Sequence, residues 1–194
     1  MNPQTLIDLA MQLDRLESLP RMGYLMRGIA HPESVAAHVF GVAVWSMLLA
    51  DELGGVDPLK VLRLALLHEL GEVKLTDIPK IAEEYLPLGA KDAAETKIAA
   101  ELLSGLEVRG EEYLRLFTEY QEARTREARL VHAADKLQMM AKVLRYQQNG
   151  ATGVDGFWNH APNFRDFDLP EVREIFAELR RRRPVVATGS PAEP

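Results

Sequence analysis

The chain has 194 residues, 47% of them hydrophobic, which predicts a single globular domain over residues 1–183. A formal net charge of −6 argues against a nucleic-acid polymer as partner, since such binders carry excess Lys and Arg. The absence of cysteine excludes disulfides and thiolate metal sites, and with no basic, apolar leader this predicts a cytoplasmic protein. The most apolar stretch, residues 35–50, contains His38 and is followed by Asp51, so we expect no membrane partner.

Apolar residues repeat at helical spacing along most of the chain, which predicts an all-α fold. Leucines at intervals of three and four residues predict a first helix over residues 6–16. Residues 35–53 are apolar on every face, so we expect a core helix there, with Ser34 as its N-cap. Asp57 is the predicted N-cap of the next helix, which leads toward His68.

The second half of the chain is also helical by its pattern. Residues 90–106 predict one helix, and residues 111–148 predict two helices or one kinked helix. Residues 150–170 are rich in Gly, Asn and aromatic residues and predict a loop packed against the core. A last helix is expected over residues 170–183, followed by a mobile tail at residues 184–194.

Polar side chains that can bind metals stand where the apolar pattern predicts buried positions. His38 and Asp135 each have apolar neighbours on their own helix face, and His68 and Glu69 follow a pair of leucines. A lone histidine in such a place is usually a hydrogen-bonded core residue. A buried carboxylate, however, needs a partner, which is either a cation such as Lys136 or a divalent metal.

Six short motifs, found in one order along the chain, resemble those of the HD-domain metal-dependent phosphohydrolases, and more closely their YfbR-like 5'-deoxynucleotidase branch. The motifs are Arg21-Met-Gly-Tyr, Arg27-Gly-Ile, Pro32-Glu-Ser-Val-Ala-Ala-His38, His68-Glu-Leu-Gly-Glu72, Thr76-Asp77-Ile-Pro and Ala134-Asp135-Lys136. The resemblance spans about residues 5–183. It implies a compact helical bundle, a homodimer, and hydrolysis of deoxynucleoside 5'-monophosphates.

The resemblance also implies a role for each matched residue. A divalent cation would be held by His38, His68, Glu69 and Asp135. These ligand types accept manganese, cobalt, iron, nickel or zinc. Glu72 would orient or deprotonate the attacking water, and Arg21 would bind the phosphate during catalysis. Asp77 would contact the sugar, and Lys80 is a further expected substrate contact.

The sequence departs from the family pattern at two positions. Glu69 stands where the family has aspartate, so its carboxylate reaches one methylene further. Met22 stands where the deoxynucleotidases can carry an aromatic residue, which affects how a substrate is positioned. Glu33, five residues before the first histidine of the pattern, is either a partner of that histidine or a helix-start residue.

Three alternative functions remain open at the level of sequence. The chain could hydrolyse another phosphate ester, such as a cyclic nucleotide, a nucleoside triphosphate or an alarmone. It could also be a catalytically impaired HD signalling domain, because the lengthened Glu69 could cost the ion. A zincin protease is disfavoured, since Glu72 occupies the place of the second histidine of His-Glu-x-x-His.

Overall fold

The computed structural model describes residues 2–184 and confirms the all-α prediction. Within that range no β-strand forms, and residues 20 and 34 make an isolated bridge. The first helices are α1 (Pro3–Leu13), α2 (Arg15–Ser18), α3 (Met22–Leu25), α4 (Val35–Leu53), α5 (Pro58–Leu67) and α6 (Glu72–Leu75). They are followed by α7 (Lys80–Glu83), α8 (Ala90–Leu103), α9 (Val108–Glu122), α10 (Arg126–Gln148), α11 (Asp155–Asn159) and α12 (Pro170–Arg181). Two 3₁₀ turns lie at Ser104–Leu106 and Ala161–Phe164.

Several helix ends agree with the chemistry read from the sequence. The Ser34 hydroxyl accepts a hydrogen bond from the backbone N–H of Ala37 at 3.2 Å, so Ser34 caps α4 as predicted. Asp57 caps α5 by accepting two backbone N–H groups of its first turn. The predicted helical region 111–148 is two helices, because Ala123 takes a left-handed conformation (φ 51°) between α9 and α10.

Other boundaries differ from the expectations. The first predicted helix is divided into α1 and α2 at Asp14. The region 150–170 is not a plain loop, since it contains α11 and a 3₁₀ turn, but it does pack against the core through buried side chains such as Trp158 and Phe167. The last helix ends at Arg181, and the tail from residue 185 lies outside the described residues.

Helices α4, α5 and α10 pack against one another at the centre of the fold, and α9 and α12 pack on their outer sides. By length and composition α4 could span a membrane, although His38 interrupts its apolar run and Asp51 ends it. It is not buried on every face. Its outward side is an apolar stripe of exposed side chains: Phe40, Val44, Met47 and Leu48.

The central helices bring the predicted ligands to one place. His38 lies on α4 between Val39 and Val35, which belong to one hydrophobic cluster, and faces α10. His68 follows the last residue of α5, and Asp135 lies in the buried middle of α10. The candidate site is therefore formed where α4, α5 and α10 meet.

Candidate metal centre and active site

The four predicted metal ligands lie together in the fold. His38, His68 and Glu69 each direct one ligand atom into a cluster whose atoms are within 4.8 Å of one another. The two histidine Nε2 atoms are 3.4 Å apart, and Glu69 Oε1 is 3.5 and 3.7 Å from them. The fourth predicted ligand, Asp135, places Oδ1 3.3 Å from His38 Nε2.

The hydrogen bonds of the two imidazoles define which nitrogen is free to bind a cation. His68 Nδ1 lies 2.7 Å from the carbonyl oxygen of Ala65, which can only accept, so Nδ1 donates. His38 Nδ1 lies 2.7 Å from Gln138 Oε1. The Gln138 amide nitrogen donates to both oxygens of Glu33, which fixes its carbonyl toward the histidine. Because a neutral imidazole carries one hydrogen, both Nε2 atoms hold lone pairs.

The two imidazole lone pairs and the carboxylate oxygens of Glu69 and Asp135 therefore converge on one place, with few hydrogen-bond donors among them. Arg21 Nη1 donates to Glu69 Oε1 at 3.0 Å, and Lys136 Nζ donates to the second oxygen of Asp135 at 3.1 Å. Lys136 is thus the ionic partner expected for Asp135, but it leaves Oδ1 directed toward His38. Two imidazole nitrogens facing carboxylates form a ligand set suited to a divalent transition metal, so these residues fit the ion that the sequence implies.

The protonation states of the cluster also suit metal binding. Burial lowers the pKa of His68, which keeps its imidazole neutral. Burial by itself would raise the pKa of Asp135, but Lys136 and the two histidines hold it well below its usual value. Burial likewise opposes ionisation of Glu69, whereas His68 and Arg21 lower its pKa. Ligands must be deprotonated to bind a metal, and the direction of each of these pKa shifts favours the deprotonated form.

Glu72 enters the site from the first residue of a short helix. Helix α5 ends at Leu67, so Glu72 is not on a continuation of that helix but begins α6. Its side chain is buried, and among residues 2–184 its Oε2 atom has no hydrogen-bond partner. Burial, and then the charges of Glu69 and Asp77, raise the pKa of Glu72 to about 10.

Helix α8 contributes two charged residues that the sequence analysis did not find. Gly71 allows the close approach, since a Cβ there would lie 2.5 Å from Cβ of Glu95. Lys91 Nζ lies 3.4 Å from Glu95 Oε1. Burial by itself would lower the pKa of Lys91, but the charges of Glu95, Glu69 and Glu72 outweigh burial and raise it overall. The positive charge of Lys91 therefore acts on the active-site carboxylates. A Lys and a Glu four residues apart are typical of exposed helix surfaces, so their spacing does not indicate a site.

Arg21 and Asp77 lie together beside the cluster. Arg21 Nη1 is 3.0 Å from Glu69 Oε1 and 3.6 Å from Asp77 Oδ1. The other oxygen of Asp77 accepts the backbone N–H of Met22 at 2.5 Å. Thr76 has a positive φ of 67°, a conformation that non-glycine residues rarely adopt and that turns the chain just before Asp77.

A cavity of about 470 Å³ opens next to Asp77. Its remaining walls are mostly apolar and include Met22, Ile78 and Leu86. Lys80, the other expected substrate contact, does not line it. Its side chain is 81% exposed and pairs with Glu83 at 3.0 Å, so the structure does not bring Lys80 to the other predicted residues.

The fold and the site together define an all-α protein with a buried histidine–carboxylate centre for a divalent cation. A comparison with protein families matches the HD domain to residues 13–160. The chain therefore belongs to the HD-domain family, as the sequence resemblance predicted.

The chain is also similar to named relatives and to solved structures. The chain is 32% identical over 152 residues to the 5'-deoxynucleotidase hdd1 of Schizosaccharomyces pombe, covering 75% of each protein. It is 27% identical to the 5'-deoxynucleotidase HDDC2 of Bos taurus, covering 93% of this chain and 86% of the relative. A conserved hypothetical protein from Pyrococcus furiosus has a TM-score of 0.79 at 39% identity, over 90% of this chain and 99% of that one. A predicted metal-dependent phosphohydrolase from Magnetospirillum magnetotacticum has a TM-score of 0.65 at 25% identity, over 92% and 95%.

Proposed function

We propose that this chain is a metal-dependent phosphohydrolase that removes phosphate from deoxynucleoside 5'-monophosphates. One observation carries the proposal: a largely buried set of cation ligands lies directly beside a partly buried arginine, Arg21. Positive charge from two sources at one place suits an anionic phosphate ester. The names of the relatives in Schizosaccharomyces pombe and Bos taurus support the nucleotide substrate.

The ion would be held by His38, His68, Glu69 and Asp135. When bound, a divalent ion lowers the pKa of a coordinated water and polarises a phosphoryl group. Arg21 supplies a planar guanidinium, kept charged because Glu69 and Asp77 raise its pKa against the effect of burial. Its two carboxylate contacts hold it beside the cluster, where it can bind the phosphate oxygens.

Glu72 is the proposed acceptor of the water proton. Its unbonded Oε2 is free to accept a hydrogen bond from a water molecule in the site. With a pKa near 10, the side chain is protonated at neutral pH in the metal-free chain. A divalent cation held by the neighbouring ligands would favour the ionised form of Glu72, which is the form that accepts a proton.

The apolar cavity beside Asp77 suits the nucleoside part of the substrate. Asp77 holds its carboxylate at the edge of the cavity through the backbone of Met22, where it can contact the sugar. A deoxyribose lacks the 2'-hydroxyl, so a carboxylate packed against that carbon with no room for another oxygen would reject the ribonucleotide by steric clash. Met22 offers an apolar contact for the base without aromatic stacking.

A phosphate-release screen tests the substrate class. The protein, reconstituted separately with manganese, cobalt, iron, nickel or zinc, is assayed against ribo- and deoxyribonucleoside mono-, di- and triphosphates and cyclic nucleotides. We expect the deoxynucleoside monophosphates to be hydrolysed fastest, and the most active ion identifies the working metal. Release from a cyclic nucleotide or a triphosphate alone would favour another phosphate-ester hydrolase. No release from any nucleotide would favour a signalling domain.

We further propose that two copies of the chain associate through the exposed apolar stripe of α4. Phe40 is 71% exposed and Leu48 is 54% exposed, and the stripe between them carries no charge. An uncharged stripe can lie against its own copy across a two-fold axis without charge repulsion. Light scattering should give a dimer for the parent and a monomer for Phe40→Lys. Leu88→Lys, on a separate exposed apolar residue, should remain a dimer.

We also propose a cytoplasmic protein without membrane or nucleic-acid partners, and the composition supports this proposal. The net charge is −6 and the chain has no cysteine. Although α4 is apolar enough to span a membrane, its inner face carries His38 and packs on α10. Co-sedimentation with anionic vesicles and gel shift with duplex DNA should both be negative at physiological salt.

A further inference from the structure

A continuous line of hydrogen bonds leads from the candidate ligand His38 to the protein surface. Its Nδ1 atom is 2.7 Å from Gln138 Oε1, and Gln138 Nε2 is 3.1 and 2.9 Å from the two oxygens of Glu33. Lys142 Nζ then bonds Glu33 Oε2 at 3.0 Å. The backbone N–H of Glu33 donates to the Tyr146 hydroxyl at 2.8 Å, which anchors this end of the line.

The direction of each hydrogen bond along this line is determined. Glu33 is an acceptor only and its side chain is 4% exposed, so the Gln138 amide must present its NH₂ group to it. The carbonyl of the same amide then faces His38, which must donate from Nδ1. Reversing the amide would place NH₂ against the imidazole and move the imidazole hydrogen to Nε2. Glu33 therefore determines, through Gln138, which nitrogen of His38 is free to bind the ion.

Helix α4 is shaped to let the Gln138 side chain pass. A Cβ at Gly41 would lie 2.8 Å from Gln138 Cγ and 3.0 Å from Gln138 Nε2. Glycine is less favourable than alanine in the middle of a helix, so this position gives up helix stability. Gly41 makes room for Gln138, whose side chain bonds the Nδ1 atom of His38 on the same helix as Gly41.

We infer that Gln138 and Glu33 are positioning residues that hold His38 with Nε2 as its metal-binding atom. The inference rests on the proposed metal-dependent function and assigns a task to two residues that touch neither the ion nor the substrate. Lys142 completes the arrangement, because its ammonium balances the buried Glu33 carboxylate.

Cobalt binding to the purified full-length protein tests this inference. Gln138→Met keeps the volume of the side chain but cannot bond the imidazole or Glu33. We expect it to weaken cobalt binding about 10-fold or more and to change the visible absorption spectrum of the bound cobalt. Gln147→Met is the matched control, since Gln147 is on the same helix and bonds Trp158 at 2.6 Å instead. It should bind cobalt within about twofold of the parent. Equal affinity and spectrum in Gln138→Met would overturn the inference.

Nitrogen-15 spectra of the metal-free protein provide a measurement that does not depend on the ion. We expect the His38 hydrogen on Nδ1 in the parent and on Nε2, or shared between the two nitrogens, in Glu33→Gln. The reason is that an amide at position 33 can donate, which lets the Gln138 amide reverse. A hydrogen on Nε2 in the parent contradicts the inference. If the parent binds no cobalt, the proposed function fails, and these spectra still decide whether the positioning exists.

Gly41→Ala separates positioning from folding if Gln138→Met does not fold. Alanine favours the helix, but its methyl group must displace the Gln138 side chain. Weaker cobalt binding with an unchanged or higher melting temperature supports the inference. Parent-like cobalt binding together with an Nδ1 hydrogen on His38 in this variant would show that the amide is not needed and would overturn it.

Discussion

The two sides of the candidate site are built in different ways. The ligand side lies on α4, α5 and α10, long or central helices whose buried faces form the core. The substrate side is formed by residues around Arg21 and Asp77, next to α3 and α7, which have four residues each. Each histidine of the ligand side has its Nδ1 atom fixed by a hydrogen bond. On the substrate side, Asp77 is held mainly by one backbone N–H.

This difference separates two tasks. Metal ligands need fixed geometry, and buried helices hold side chains in place because moving them would disrupt close packing. Substrate discrimination depends on the shape of a cavity, and short segments can differ in sequence without disturbing the core. Ala82 on α7 and Leu86 just after that helix line the cavity and belong to this second kind of structure. We therefore expect substitutions on the two sides to affect different measured quantities.

The largest effect is expected on the ligand side. Replacing His68 or Asp135 by alanine removes a proposed ligand from a largely buried cluster and should abolish binding of manganese and cobalt in calorimetry. Asp77→Ala, from the substrate side, should bind these ions as the parent does. Unchanged affinity in both ligand variants would contradict the assignment.

The next effect concerns Glu72, which lies between the two sides. Glu72→Ala should lower kcat by about 10²- to 10⁴-fold, as expected for a lost general base, while the metal content stays near that of the parent. Metal analysis and steady-state kinetics on the same preparation check both parts. Loss of the ion would make Glu72 a ligand. Retention of ion and rate would mean that the water needs no carboxylate.

The ligand side could be predicted from sequence more completely than the substrate side. His38, His68 and Asp135 are polar residues in apolar rows, and a buried polar group needs a partner wherever it occurs. The bounds of α4 also followed from a cap and a glycine pair. Gln138 was missed because an amide in a long helix has no distinguishing pattern, and its importance arises only from α4 and α10 packing together.

On the substrate side, the sequence could not predict which residues line the cavity. Thr76 adopts a left-handed backbone that no β-branched residue prefers, so its turn follows from tertiary packing. Lys80 is close to Asp77 in sequence but is exposed and pairs with Glu83, since helix α7 directs it outward. Helix α5 ends at Leu67, and Glu72 enters the site as the first residue of α6.

A moderate effect is expected from Asp77. Asp77→Ala should narrow the preference for deoxynucleoside over ribonucleoside monophosphates about 10-fold, because the carboxylate beside the sugar is removed. The ratio of kcat/KM for dAMP and AMP measures this preference. Glu84→Ala, an exposed carboxylate just beyond α7, is the control and should keep the parent ratio. Equal rates on dAMP and AMP in the parent would exclude a sugar-reading role for Asp77.

The last effect is a pH dependence of stability in the metal-free protein. Folding raises the pKa of Glu72 from 4.5 to about 10, mainly through burial. The folded chain therefore keeps a proton that the unfolded chain releases, so stability from this group is full below about pH 4.5 and falls as the pH rises toward 10. Glu72→Gln cannot ionise and should not show this loss. Its free energy of unfolding relative to the parent should increase with pH, by at most about 1.4 kcal/mol per pH unit. Urea unfolding in chelator at about pH 5, 6.5 and 8 measures the difference, with exposed Glu84→Gln as the control. A difference that stays constant with pH would mean that Glu72 is already ionised in the folded metal-free chain, so that its carboxylate adds a negative charge beside Glu69.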